Sequence, residues 1–236
     1  MRTYTSKTKN NMYNSFFDFF EMNGKKTKLV FYCLVGFFIY SMLFPASSGY
    51  LGSIKAKILL KSTDSFFDYT LPLFSSIIIF YVFFEDYKGK IHEMLAFYNN
   101  SKFNKLMLYR WCFFVSIFII GLLVCSIFYY RNISFINLTS IILSIRFIPN
   151  VLFLSSLVLV VTVLTKNSFI GLFVTISYYA VDFFSSGLIF KIFSIGAHSN
   201  NFYYVHSPEY YLLNRGLILL LSIIFVYISV KKSSRI

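Results

Sequence analysis

Acidic residues are scarce in this chain. Nine Asp+Glu stand against 22 Lys+Arg, and charged residues make up only 13% of the 236. Soluble domains average about 25% charge, so the usual ionic surface cannot be assembled. Cysteine is equally thin: Cys33, Cys112 and Cys125 are odd in number and each lies in an apolar run. That excludes a disulfide framework and leaves them as small buried hydrophobes. The three histidines, His92, His198 and His206, form no H-E-x-x-H pattern, so a zinc-protease helix is excluded. Ser207 beside His206 sits in no nucleophile elbow. The phosphate cradle G-x-x-x-x-G-K-[ST] is also missing, because Gly24 and Gly89, each next to a lysine, lack the earlier glycine at the required distance. No catalytic, metal-binding or nucleotide-binding constellation is left, and the chain is read as not an enzyme.

What it has in quantity is apolar and aromatic. Hydrophobic residues make up 57%, with 31 Phe and 19 Tyr, more than one small core can hide. The net charge of +13 would suggest nucleic acid in a soluble protein. Here membrane lipid competes for it, since cationic loops are expected beside anionic headgroups; no nucleic-acid partner is expected.

A hydrocarbon layer of about 30 Å needs roughly 20 helical residues, and six apolar runs qualify. They lie near residues 29–45, 66–84, 111–130, 146–165, 168–190 and 211–230. The third carries Trp111 at one end and Tyr129 and Tyr130 at the other, the aromatic pairing expected at two interfaces. The apolar stretch 133–164 exceeds one span and is divided, with 133–144 interfacial and the span starting near Arg146. Pro149 then falls in the first turn, where its missing N–H costs little. Residues 1–28 precede the first span, which is read as uncleaved, and 231–236 form a tail. The expected fold is therefore an all-α, six-span membrane protein with an N-terminal interfacial helix.

Basic residues set the orientation. With the N-terminus inside, cytoplasmic segments hold six, five, one and three of them, fifteen in all. Seven fall outside: Lys55, Lys57, Lys61, Arg131, Arg146, Lys191 and Arg215. This bias puts both termini in the cytoplasm of a cell that carries the protein in its plasma membrane. The outer Asn132-Ile-Ser and Asn137-Leu-Thr match a glycosylation acceptor, a pattern that arises often by chance.

Two polar segments stand out. Tyr13, Phe16, Phe17 and Phe20 share one helical face, with Asn14, Asp18, Glu21 and Lys25 on another, which suits a helix lying in the interface. In residues 85–110, the longest inward loop, Ile91, Met94, Leu95 and Tyr98 recur at i, i+3, i+4 and i+7 and predict a short amphipathic helix. Asn99, Asn100 and Ser101 are expected to break it, with Ser101 as a possible cap for the next helix.

This layout, with Glu85 and Asp86 closing the second span and Gly89, Leu95, Tyr98, Ser101, Lys105 and Arg110 following, resembles the permease subunit of an ABC-2-type ABC transporter. The likeness covers nearly the whole chain in layout and about 26 residues in motif, and Asn99 and Asn100 stand where that family often has Pro. It implies a coupling helix built from Glu85, Asp86, Lys90, Ile91, His92, Glu93, Met94 and Leu95 that meets a separate ATP-binding subunit. ATP and Mg would be bound by that subunit, and the permease would pair with a second half, identical or related. It further implies export of a peptide, drug or other amphipathic substrate, antimicrobial peptides among them, and short re-entrant helices in 191–215. A non-transporting scaffold or sensor using the same loop, and an ion-gradient-driven carrier, are the alternatives.

Charges at membrane depth need partners, since each costs roughly 2.5–3.5 kcal/mol on insertion scales. Asp182 is expected about eight residues, or about 12 Å, inside the fifth span. Arg215 should reach similar depth in the sixth. An Asp182–Arg215 ion pair is expected, with Arg146 as the competing partner. The alternative has Arg215 reaching the headgroups and Asp182 hydrogen-bonded to a nearby Ser or Tyr. Asp68 is read as interfacial, and Ser75, Ser76, Ser177, Ala180, Ser185, Ser186 and Gly187 as small residues permitting close helix approach.

Overall fold

The computed structural model describes residues 4–46, 65–88, 91–132, 145–196 and 209–233. Among these the chain is helical, with no strand. Six α-helices follow one another: α1 (Tyr4–Leu43), α2 (Leu71–Tyr87), α3 (Ile91–Tyr129), α4 (Ile148–Thr165), α5 (Ser168–Phe184) and α6 (Glu209–Ser233). A π-helical turn, Ser65–Thr70, leads into α2, and a 3₁₀ turn, Lys191–Phe193, follows α5. Five stretches are long and apolar enough to cross a bilayer: Gly24–Leu43, Phe66–Tyr87, Asn104–Tyr129, Ile148–Thr165 and Leu212–Ser233. The chain is thus a multi-pass membrane protein. α5 has 17 residues, about 26 Å at 1.5 Å each, and falls short of the same length.

Contacts define two ends of the bundle. At the Glu85 end, Lys26 of α1 lies 3.1 Å from Glu85, the Phe84 and Phe169 rings meet at 5.3 Å, and Ser233 donates to Asn104 at 2.7 Å. At the Asp68 end, Arg131 donates to the Met42 carbonyl at 2.8 Å and Tyr69 donates to Asp182 at 3.0 Å. Successive helices therefore alternate in direction. α5 touches both ends despite its length, and both described termini leave from the Glu85 end. The basic residues divide as their loop positions require: Lys26, Arg110 and Lys166 at the Glu85 end, Arg131, Arg146 and Arg215 at the other.

α4 is the most buried of the spans and packs on α2, α5 and α6. Small residues make that position possible. Lipid is as apolar as leucine, so helices gain little by hiding methyl groups from it and associate through close packing and hydrogen bonds. Ser75 of α2 reaches the Val151 carbonyl at 3.3 Å. Gly171 of α5 lies so near α4 that a Cβ there would stand 2.8 Å from the Val158 carbonyl oxygen. α4 begins with Pro149 in its first turn, as the sequence suggests. Lys166 ends it in the left-handed region at φ 54°, and Asn167 caps α5 by accepting from Phe169 N at 2.9 Å.

Four sequence expectations change. The N-terminal amphipathic segment and the first span form one 40-residue helix rather than two: residues 4–43 contain no proline, and Gly24 costs a helix only about 1 kcal/mol. Likewise α3 runs through Asn99, Asn100 and Ser101 without a break, because Asn and Ser inside a helix each cost less than about 0.7 kcal/mol. The fifth helix ends at Phe184, not near residue 190. Ser186 (φ 51°) and Gly187 (φ 73°) take left-handed conformations, and the Gly187 N–H returns to the Asp182 carbonyl at 3.0 Å, closing the helix. Finally, Trp111 and Tyr130 pack inside the bundle, at 8% and 0% exposure, rather than facing the lipid interface. Phe67, Tyr129 and Phe147 join Tyr130 in one aromatic cluster. The interfacial segment 133–144, the loop holding Lys55, Lys57 and Lys61, and residues 197–208 of the outer 191–215 segment fall outside the described residues.

Candidate functional site

Charge inside the bundle is gathered into two layers, one at each end. Each holds two carboxylates and two cations.

The Glu85 layer ties three helices together. Arg110 of α3 is 1% exposed and donates to Asp86 at 2.5 Å and to the Val82 carbonyl at 2.8 Å, with its guanidinium over the Phe83 ring at 5.0 Å. Lys26 of α1 is buried too; its ammonium donates to the same Val82 carbonyl at 2.8 Å and pairs with Glu85. Sharing is possible because a carbonyl oxygen has two lone pairs. Asp86 is turned into the protein, whereas the Glu85 side chain is 69% exposed.

The Asp68 layer is larger and wholly interior. Arg146 pairs with Asp68 at 3.1 Å, and both side chains are nearly inaccessible. Asn150, one turn into α4, donates to the Asp68 carbonyl and the Ile195 carbonyl, each at 3.0 Å, and accepts from Arg215. Arg215 also donates to the Ile195 carbonyl at 3.0 Å. Asp182 accepts from Tyr69 at 3.0 Å, Ser194 at 3.1 Å and the Ile195 N–H at 2.8 Å. Asn214 donates to the Ser194 carbonyl at 2.9 Å. The short segment Ser194–Ile195 is therefore the hub, its backbone satisfied by groups from α4, α5 and α6. Gly196 follows against the Tyr69 ring, in a space that a Cβ would fill. A peptide segment entering a bundle in this way is tolerated where buried partners meet its N–H and C=O groups.

The expected site residues fall as follows. Asp182 and Arg215 do meet in one network, linked through Ile195, and Asp182 lies in the last turn of α5 rather than about 12 Å inside a longer span. Arg146 faces Asp68, which is fully buried and not interfacial. Of the residues expected to couple, Glu85 and Asp86 lie in the last turn of α2, bound to Lys26 of α1 and to Arg110 in the middle of α3. Ile91, His92, Glu93, Met94 and Leu95 lie in the first turns of α3, and Lys90 is outside the described residues. Asn150 was not singled out by sequence; its signal was an amide side chain directly after Pro149, at the start of a strongly apolar helix. Among the described residues no group of three His, Cys, Asp or Glu could hold a metal ion.

The two layers can do different things. The far layer is a buried network that ties together α2, α4, α5 and α6. The near layer braces the root of a helix that continues beyond its spanning stretch: α3 begins at Ile91, whereas its membrane stretch begins at Asn104. The preceding part amounts to about 20 Å of helix, joined to α2 by only three residues. No protein-family model, no curated protein and no solved structure matches this chain.

Proposed function

We propose that this protein is the permease subunit of an ATP-driven ABC transporter, with six membrane passes, α5 being the short fifth. The observation that carries the reading is the continuous α3. Its first turns project past the membrane stretch on the end from which both described termini leave, and a rigid helix passes a push at its tip directly into the span. Arg110 and Asp86 at its root carry the same push to α2.

In this reading the Glu85 end is cytoplasmic, in line with its excess of basic residues. A separate ATP-binding subunit grips residues 91–103, and ATP and Mg are bound there. A second permease half, identical or related, completes the pathway. Export of an amphipathic peptide or drug across the plasma membrane follows from the resemblance in layout. The buried carboxylates Asp68 and Asp182 favour one other reading, a carrier driven by an ion gradient, because acids at membrane depth commonly serve proton relays.

The test is co-expression with an ATP-binding subunit encoded beside this chain, followed by mild solubilisation and measurement of ATPase rate in proteoliposomes. The permease reading expects co-purification and stimulated ATPase. Asn100→Pro, which removes a helix hydrogen bond and kinks the stalk at a cost of about 3 kcal/mol, should abolish stimulation while leaving the bundle's thermal stability unchanged. Capture without stimulation would assign the chain to a scaffold. Substrate movement that collapses with a protonophore and ignores ATP would assign it to a carrier.

A further inference from the structure

We propose that the cleft between the end of α2 and the α4–α5 turn binds the phosphate of an anionic glycerophospholipid. The cleft encloses about 300 Å³. Its floor and walls come from chemistry that otherwise has no use at that place. Lys88 from the end of α2 and Lys166 from the α4–α5 turn both line it, and neither meets a carboxylate among the described residues. The acids closest in sequence, Glu85 and Asp86, already hold Lys26 and Arg110. Ser168 opens α5 and also lines the cleft; it is 3% exposed, and its hydroxyl has no hydrogen-bond partner among the described residues. A buried hydroxyl left that way costs about 1–3 kcal/mol, so the site is incomplete without an acceptor. Two cations and one buried donor together call for an oxyanion, beside a helix end whose first N–H groups Asn167 already caps.

The source of that oxyanion follows from where the cleft lies. The spanning stretch of α2 ends at Tyr87 and α5 begins at Ser168; in the six-pass reading proposed above, on which this inference rests, the lysines therefore stand at headgroup level. Phe84 and Phe169, in edge contact at 5.3 Å, form the wall on the bilayer side, and Lys88 lies over the Phe84 ring at 5.4 Å. The cleft is thus cationic toward water and aromatic toward the acyl chains, the polarity of a phospholipid at its glycerol. A free phosphate would use the lysines and leave the rings idle.

The full chain, purified in mild detergent, is to be examined by native mass spectrometry with phosphatidylglycerol or phosphatidylcholine. One retained phosphatidylglycerol per chain is expected, with phosphatidylcholine lost. Neutralising both cations, Lys88→Gln with Lys166→Gln, should weaken retention about thirtyfold if each lysine contributes as basic residues near anionic surfaces do. Ser168→Ala should weaken it about fivefold. Lys231→Gln with Lys232→Gln, two exposed lysines at the same end of the bundle, should change nothing. Retention by the Lys88/Lys166 variant at the original level, an equal loss in the Lys231/Lys232 variant, or displacement of the lipid by millimolar inorganic phosphate would each overturn the proposal.

Discussion

Breaking the Arg110–Asp86 pair separates the mechanical reading of the Glu85 layer from a purely decorative one. Asp86→Ala would leave a guanidinium at 1% exposure without its carboxylate. Removing one partner of a buried pair costs about 3–5 kcal/mol. Arg110 keeps the Val82 carbonyl at 2.8 Å and the Phe83 ring at 5.0 Å, which places the expected loss at the lower limit, about 3 kcal/mol. For a chain of this size that corresponds to a fall in Tm of about 6–12 °C, readable by fluorescence-detected size exclusion after heating in detergent. Glu85→Gln is the internal control: its carboxylate is 69% exposed, and its loss should cost under about 1 kcal/mol. Asp86→Leu combined with Arg110→Met should recover to within about 1 kcal/mol of the original, because a well-packed apolar pair replaces a buried ionic one with little penalty. The reasoning is refuted if Asp86→Ala and Glu85→Gln melt together, or if the double variant falls as far as the single one.

The Asp68 layer gives further tests. A double-mutant cycle on Asp68→Asn and Arg146→Gln should return a coupling above about 1.5 kcal/mol in the same thermal assay. Exchanging the charges at Asp182 and Arg215 should not restore either single variant, because Asp182 faces three donors that an arginine could not accept from. Tyr69→Phe removes one of those donors and should lower stability by about 1–2 kcal/mol; an unchanged melt would show that the hydroxyl is idle. Gly171→Val sets a side chain against the Val158 carbonyl and should cost at least about 3 kcal/mol by overpacking, or prevent α5 from docking, seen as loss of the monodisperse peak.

Five of the six expected spans were legible because hydrocarbon thickness imposes a length on apolar runs; α5 falls short of that length. Helix ends were less so. Residues 4–43 and 91–129 read as two segments each, since polarity changes partway along, yet polarity decides what surrounds a helix and not where its hydrogen bonds stop. The end of α5 went the other way: Ser185, Ser186 and Gly187 looked like packing residues, and the left-handed geometry of Ser186 and Gly187 is visible only once the chain must turn toward Ser194. Depth alone suggested an Asp182–Arg215 ion pair, with a hydrogen bond from a nearby Ser or Tyr to Asp182 as the alternative; Tyr69 and Ser194 do donate to Asp182. The link to Arg215 through the Ile195 backbone had no signal, because an apolar side chain gives no hint that its peptide group is the acceptor. Asp68 was misplaced for the same reason; its partner Arg146 is 78 positions away in the chain, a separation over which sequence pattern carries no pairing information.

The scarcity of acidic residues acquires a meaning from these positions. Four of the nine, Asp68, Glu85, Asp86 and Asp182, lie in the two layers, and three of those four belong to α2 or the π turn that opens it. Among the described residues the Phe66–Tyr87 stretch is the one element that contributes charges to both layers. It holds α1 and α3 at one end and α4 at the other, with Tyr69 reaching Asp182 of α5. A force applied to the projecting part of α3 has an ionic route to α2 through Arg110 and Asp86, beside the aromatic contacts that Tyr129 and Tyr130 make with Phe67 at the far end. Between the layers the helices meet mainly through close apolar packing, with Ser75 bonded to the Val151 carbonyl. At the ends the buried pairs Arg110–Asp86 and Arg146–Asp68 resist separation, because each would leave an uncompensated charge inside the protein. Movement of α2 as a rigid strut between two fixed ends is the motion this arrangement allows at least cost, and it would shift the helices at both ends together.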